Sequence, residues 1–332
     1  MNLPERMNYI QITQPGGPEV LQLAQADVPV PAERELLIKV HAAGINRPDV
    51  LQRAGKYPMK PGMSAVPGLE VAGEVVGVGS AVTDFKVGDR VCALTNGDGY
   101  AEYCTVIETQ ALPIPDGVDM IHAAAIPETF FTVWANLFEL GQAREGSTVL
   151  IHGGTSGIGT TALMLCQALG IRAFATAGSE EKCAQIRALG GEAINYREAD
   201  FAKVIAERTD NNGVDVILDI MGGSYFAGNV ASLARRGRLV IIGFLGGASV
   251  KDFNLLTLLD KQASVTGSMM RSRSAQEKAD VAQGVRDNVW PLLQAGQCLP
   301  IIDRVFPLAD AAGAHQRMEQ GDHIGKIVLK VV

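Results

Sequence analysis

One short run limits the fold of this chain more than any other: Gly153-Gly154-Thr155-Ser156-Gly157-Ile158-Gly159. The apolar strand Val149-Leu150-Ile151-His152 precedes it, and an amphipathic helix succeeds it over 157–169, with Ile158, Ala162, Leu165 and Leu169 on one face. Small residues at a strand-to-helix turn let the backbone approach a phosphate, whose charge is met by N–H groups at the helix N-terminus. The run fits GxGxxG imperfectly, with Gly154, then Ser156 in place of the middle glycine, then Gly159. The next hundred residues strengthen the match: strands are predicted over 171–176, 193–195, 214–219, 238–242 and 264–267, with a second helix over 180–189. Short apolar strands between amphipathic helices imply a parallel sheet covered on both faces. The segment 128–267 is therefore expected to be a doubly wound Rossmann domain that binds a dinucleotide.

The end of the second strand indicates which dinucleotide. NAD enzymes usually place an acid there for the ribose 2′-hydroxyl. Here the run is Thr176-Ala177-Gly178-Ser179, without an acid, and then Glu180, Glu181 and Lys182. Ser179 fits an N-cap. A lysine in a first helical turn opposes the helix dipole mildly, and a 2′-phosphate makes that placement useful. The competing reading is a solvated lysine offset by its two glutamates. NADPH is the expected cofactor.

The flanking sequence reads differently. Residues 1–127 are rich in branched residues (36–40 and 71–78), broken by Gly-Pro pairs and by a turn at Lys86-Val87-Gly88-Asp89-Arg90 that leads into Val91. After 268 a helix over 278–293 and a last strand over 326–331 are too little for a domain alone. They are expected to return to the first, mostly β domain, so that 1–127 and 268–332 form one unit around the inserted 128–267.

Composition sets outer limits. A net charge of −7 with no long basic run argues against a nucleic-acid partner. Hydrophobic residues at 47% argue against disorder. The five cysteines contain no CxxC pair, so neither a disulfide framework nor a structural zinc lobe is expected, and a cytoplasmic location fits. The N-terminus lacks the pattern of a signal peptide, and no uncharged apolar stretch approaches the roughly 18 residues of a spanning helix. The five histidines show no paired ligand spacing.

The order of domains and the stretch Gly68-Leu69-Glu70-Val71-Ala72-Gly73 resemble the medium-chain dehydrogenase/reductase superfamily. Its zinc alcohol dehydrogenases carry a histidine ligand where this chain has Leu69, and a cysteine ligand in the loop that here holds Asn46. An asparagine amide and a leucine do not make a Zn²⁺ site of thiolate or imidazole, so no metal is expected. The chain is thereby similar to the zinc-free quinone oxidoreductases, the group that includes zeta-crystallin. The likeness rests on NRPDVLQRAGKY from Asn46, AAIPE from Ala124, TAGSEEK from Thr176, LDIMGGSY from Leu218, Arg271-Ser272-Arg273 and IGKIVL from Ile324.

The resemblance implies an α/β fold, with the Rossmann sheet inserted in a mostly β, GroES-like catalytic domain, and a homodimer that joins nucleotide-domain sheets, with 264–267 as the edge. It implies that Gly154, Thr155, Ser156, Gly157, Ile158 and Gly159 hold the pyrophosphate. Gly178, Ser179, Lys182 and Tyr196 would surround the 2′-phosphate, and Gly222 would lie near adenosine. Phe244 and Leu245 would pack by the nicotinamide, with Asn46, Tyr57 and Thr132 lining that end and Met270, Arg271 and Lys326 closing over the cofactor. Asn46 and Tyr57 are the candidate catalytic groups: Asn46 to orient the ribose or the acceptor, Tyr57 to donate a hydrogen bond to the acceptor oxygen. Asp49 is expected to hold their loop. The expected reaction is NADPH-dependent quinone reduction. The alternatives are reduction of α,β-unsaturated carbonyls and a nucleotide-binding protein with little turnover.

Overall fold

The computed structural model describes residues 3–332, which divide into two compact units. The first comprises the chain up to Thr129 with Arg273–Ala295 and Leu299–Val332; the second comprises Phe130–Ser272 with Gly296–Cys298.

The first unit opens with an antiparallel hairpin of β1 (Arg6–Ile12) and β2 (Leu21–Asp27). Next come β3 (Glu35–Gly44), helix α1 (Arg47–Arg53), β4 (Glu70–Val78), β5 (Arg90–Leu94), β6 (Tyr103–Ile107), β7 (Ala111–Pro113) and helix α2 (Met120–Ala123). Helix α3 (Pro127–Val133) carries the chain out of this unit.

The second unit contains β8 (Thr148–Ile151), α4 (Gly157–Ala168), β9 (Arg172–Ala177), α5 (Glu180–Ala188), β10 (Glu192–Asn195), α6 (Phe201–Arg208), β11 (Val214–Asp219), α7 (Phe226–Ser232), β12 (Leu233–Ile241), α8 (Leu256–Lys261) and β13 (Ser264–Gly267). Its six strands are all parallel, in the order β10-β9-β8-β11-β12-β13. The order reverses between β8 and β11, the switch point outside whose strand ends ligands bind in such sheets. Its core joins Leu150, Phe174, Ile194, Ile217 and Leu239 to Phe201, Ile205 and Val230 of the covering helices.

The chain then returns to the first unit through α9 (Ala275–Asn288), α10 (Trp290–Gln294), β14 (Ile302–Pro307), α11 (Ala311–Gln320) and β15 (Lys326–Lys330). The one helix expected over 278–293 is two, because Pro291 cannot supply an N–H inside a helix and is tolerated in the first turn of α10. The sheet here runs β14-β15-β3-β4-β5-β7, with β6 on the first half of β3. β3 is antiparallel to both β15 and β4, so its end meets the starts of both neighbours. That register places Asn46, just past β3, beside Glu70, which begins β4, and Lys326, which begins β15. The core beneath is a cluster of Leu36, Ile38, Val40, Val71, Val75, Val91, Ile327 and Leu329.

Candidate functional site

The loop after β8 in the second unit is shaped by close backbone approaches. A side chain at Gly159 would place its Cβ 2.3 Å from the Gly153 carbonyl oxygen, so α4 can start only on a glycine there. Ser156 caps α4: its Oγ accepts the Gly159 N–H at 3.1 Å and donates to the Gly153 carbonyl at 2.8 Å. The N–H groups of Gly157 and Ile158, which the Ser156 cap leaves over, have no intrahelical acceptor and suit an anion.

Residues absent from the motif hold this loop. Thr176 Oγ1 accepts the Gly153 N–H at 3.2 Å and donates to His152 Nδ1 at 3.1 Å. His152 Nε2–H in turn donates to Asn229 Oδ1 at 2.7 Å. Burial pushes the His152 pKa down to about 4, so the ring is neutral at neutral pH and can accept at one nitrogen while donating at the other. Gly154 is fastened by its N–H to the Thr176 carbonyl at 2.9 Å, and Thr155 is buried behind it.

At the end of β9, Ser179 caps α5 by accepting the Lys182 N–H at 3.3 Å. Glu180 forms an ion pair with Arg187 further along α5. Tyr196 succeeds β10 and lies over Gly178, where a Cβ would stand 2.6 Å from its hydroxyl and 3.3 Å from Arg197 Nε. Arg197 is a second cation at this corner that sequence reasoning missed. It sits in exposed chain after β10, outside any motif.

Beyond β11, Asp219 is fully buried and its carboxylate accepts the N–H groups of Met221 (2.7 Å) and Gly222 (3.1 Å), while burial lifts its pKa to about 6. The Leu245 N–H bonds to the Ile220 carbonyl at 3.0 Å and the Gly223 N–H to the Gly247 carbonyl at 2.7 Å. These bonds hold Phe244 and Leu245 as an exposed apolar pair beyond β12. Thr132 is buried in the same unit with its hydroxyl lacking any hydrogen-bond partner among the described residues. Met270 and Arg271 form a short buried turn that also belongs to it. The capped loop, the cationic corner and the orphaned Thr132 hydroxyl fit a phosphorylated dinucleotide.

The first unit holds a buried ionic cluster. Lys326 Nζ lies 2.6 Å from Glu70 Oε1 and donates to Asn46 Oδ1 at 2.6 Å and to the Ile45 carbonyl at 2.9 Å. Asn46 Nδ2 donates to the same Glu70 oxygen at 2.9 Å. Gly44 makes room, since a Cβ there would stand 2.1 Å from Glu70 Oε1. Asn46 is 7% exposed and Lys326 3%, so neither side chain is free to swing.

Asp49 fixes the backbone below them. It accepts from the N–H groups of Asn46 (2.8 Å) and Gly68 (3.0 Å) and from the Tyr100 hydroxyl (3.1 Å). Burial raises its pKa to about 6 against those bonds. The donors align in one direction: Arg53 to His315 Nδ1, His315 Nε2–H to Tyr100, Tyr100 to Asp49. Burial, then the charges of Arg53 and Arg47, drive His315 down to about 3, so it is neutral and serves as a relay of dipoles. Arg53 is anchored at the far end by both oxygens of Glu319. Tyr57 lies in the loop after α1, half-exposed, its N–H on the Leu51 carbonyl at 3.1 Å.

A divalent metal does not fit this arrangement. Leu69 and Asn46 offer neither thiolate nor imidazole, and among the described residues no three of His, Cys, Asp and Glu gather. The cation beside Glu70 is the lysine ammonium. Among the described residues no helix is long and apolar enough to cross a membrane.

Comparison with known proteins agrees with this architecture. Residues 32–116 match a family model described as the alcohol dehydrogenase GroES-like domain, and residues 157–285 match one described as a zinc-binding dehydrogenase. The chain is 33% identical over 328 residues to the quinone oxidoreductase of Rattus norvegicus, covering 97% of each. Among solved structures, mycobacterial Rv1454c complexed with NADPH superposes with a TM-score of 0.88 at 29% identity, covering 98% of this chain and 100% of that one. The CurK enoyl reductase gives 0.86 at 27%, covering 98% and 99%. With a parallel dinucleotide sheet, a GroES-like β unit and near full-length likeness to such enzymes, the chain belongs to the quinone oxidoreductase family of the medium-chain dehydrogenase/reductase superfamily.

Proposed function

We propose that the protein reduces quinones with electrons from NADPH and without a bound metal. One observation carries the cofactor choice. The end of β9 bears no acid for a ribose hydroxyl but Ser179, Lys182, Tyr196 and Arg197, a neutral and cationic set suited to a 2′-phosphate. The printed name of the rat relative supports the acceptor class, and the NADPH held by the mycobacterial relative supports the cofactor.

NADPH supplies a hydride when bound. The protein's part is placement, since an electron-poor acceptor needs no Lewis acid. The loop 153–159 and the Lys182 corner grip the two phosphate ends. Phe244 and Leu245 give the nicotinamide an apolar face, with Thr132, Met270 and Arg271 completing its surroundings. Asn46, clamped by Glu70 and Lys326, orients the ribose or the acceptor. Tyr57 donates a hydrogen bond to the acceptor oxygen, and because a phenol ordinarily keeps its proton to about pH 10, it orients without protonating. Lys326 already balances Glu70, so the β unit requires no metal for charge. With all five thiols buried, a reducing cytoplasm suits the protein.

Likeness to an enoyl reductase favours a second reading, reduction of α,β-unsaturated carbonyls. The two separate in one assay: NADPH oxidation with a benzoquinone and with an enone, each with and without a chelator. The expected result is faster turnover of the quinone, unaffected by chelation. Tyr57→Phe is expected to reduce that turnover by about tenfold or more while leaving NADPH affinity unchanged. Preference for the enone would favour the second reading, and loss of activity on chelation would refute metal independence.

The same reading includes a homodimer. β13 is an edge strand with all four residues exposed, flanked by Leu255, Leu256 and Leu259, each more than half exposed. Such an edge invites pairing with a second copy. Light scattering is expected to give twice the chain mass, and Leu256→Glu with Leu259→Glu to halve it; a monomeric wild type would refute the pairing.

A further inference from the structure

A line of buried polar side chains crosses the carboxyl ends of three neighbouring strands in the dinucleotide sheet. Thr176 lies near the end of β9, His152 just past β8 and Asp219 at the end of β11, with Asn229 reaching in from α7. Thr176 is 2% exposed and the other three are wholly buried. One end of the line holds the Gly153 N–H, on Thr176 Oγ1 at 3.2 Å. At the other end the Asn229 amide stabilises the charged form of the Asp219 carboxylate, which accepts the N–H groups of Met221 and Gly222. The loops on the two sides of the switch point, 153–159 and 220–223, thus hang from one set of side chains.

The donors along this line run in one direction. A threonine hydroxyl has a single hydrogen. The Gly153 N–H already points at the Thr176 oxygen, so the hydroxyl hydrogen goes to His152 Nδ1, 3.1 Å away. The ring proton then sits on Nε2 and meets Asn229 Oδ1 at 2.7 Å. The other tautomer would set two N–H donors on the Thr176 oxygen and leave Nε2 facing a carbonyl oxygen, acceptor against acceptor. Turning the Asn229 amide over to answer it would bring Oδ1 against the Asp219 carboxylate. Burial disfavours a doubly protonated ring. Packing holds the ring as well: it lies edge-on to Phe201 and Tyr225, with both centroids 4.9 Å away, and those two rings stack on each other at 5.0 Å. Gly153, by contrast, has no side chain and a φ of 72°, so the direction of its N–H depends on the acceptor it meets.

We propose that His152 is a positioning residue for the dinucleotide pyrophosphate: in its Nε2–H form it orients Thr176 and Asn229, and through them fixes the loops 153–159 and 220–223. The inference rests on the dinucleotide-binding reading above and adds a residue that acts without contacting the ligand. The effect belongs to the pyrophosphate, which every dinucleotide carries, and not to the 2′-phosphate at the Lys182 corner. Disturbing the line therefore weakens NADPH and NADH alike.

Thr176→Val keeps the shape of the side chain and removes the hydroxyl. It is expected to weaken NADPH, NADH and ADP-ribose by a common factor of about 5 to 10, the effect of losing one hydrogen bond. Adenosine 2′-monophosphate, which has the ribose phosphate but no pyrophosphate, is expected to bind as before. Thr176→Ser restores the hydroxyl and is expected to restore the affinities. A role in core packing alone would lower the melting temperature without separating these ligands. Heteronuclear NMR of the histidine rings gives a second readout, independent of any variant: His152 of the wild type is expected to be neutral with its proton on Nε2 from about pH 6 to 8. Asn229→Leu removes the acceptor of that proton and is expected to shift the ring towards the Nδ1–H form while weakening the same three ligands. If Asn229→Leu folds poorly by thermal melting, the Thr176 pair and the wild-type spectrum decide.

A Thr176→Val protein that binds all four ligands with wild-type affinity, or loses adenosine 2′-monophosphate as much as NADPH, would overturn the proposal, as would a wild-type ring protonated on Nδ1. Each of these results leaves the dinucleotide reading standing. A wild type that binds neither NADPH nor NADH would overturn that reading, and the proposal with it.

Discussion

Lys182→Ala is expected to raise the dissociation constant for NADPH by about 10- to 100-fold and to leave that for NADH nearly unchanged. A hydrogen bond to a charged group contributes about 1.5–3 kcal/mol, and each 1.4 kcal/mol is tenfold in affinity. Partial exposure of Lys182 places the effect towards the lower half of that range, because solvent screens the charge. Arg197 approaches the same corner, so Arg197→Ala is expected to act in the same direction, and the double variant to lose most discrimination between the two cofactors. The change is electrostatic and is expected to shrink as salt is raised. Fluorescence titration with both dinucleotides tests it. Equal weakening of NADPH and NADH would mean that the corner does not read the phosphate.

The second large effect concerns stability. Lys326→Met is expected to destabilise the fold by about 3–5 kcal/mol, because it leaves Glu70 as a buried charge without a counterion. The ammonium also donates to Asn46 Oδ1 and the Ile45 carbonyl, which lose their donor together. Adding Glu70→Gln to the same chain is expected to recover most of the loss, since it removes the uncompensated charge. Urea denaturation of the two single variants and the double variant gives the coupling directly. A loss below about 1 kcal/mol for Lys326→Met would mean that water reaches the cluster and that the pair behaves as a surface salt bridge.

The two experiments probe parts of the protein that differ in how much the sequence discloses. The phosphate loop is legible because its determinants are local: glycines at fixed offsets, a capping serine and an apolar strand on one side. The parallel sheet is legible for the same reason, since each strand and helix carries its own period. The helix at 201–208 and the strand at 302–307 escape such reading, being short and weakly patterned. The break before Pro291 is readable from proline chemistry, but the longer apolar stripe across 278–293 masks it.

The sequence by itself determined the fold class, the dinucleotide loop, the absence of an acid after β9 and the leucine and asparagine where relatives bind zinc. Only the tertiary structure decided how the polar groups are held. His152 is tuned by Thr176 and Asn229, 24 and 77 residues away, and Asn46 is clamped by Glu70 and by Lys326, which is 280 residues away. Local periodicity is set by neighbours in the chain. The charge and proton affinity of a buried group are set by whatever the sheet register brings beside it, and no window of sequence contains both partners.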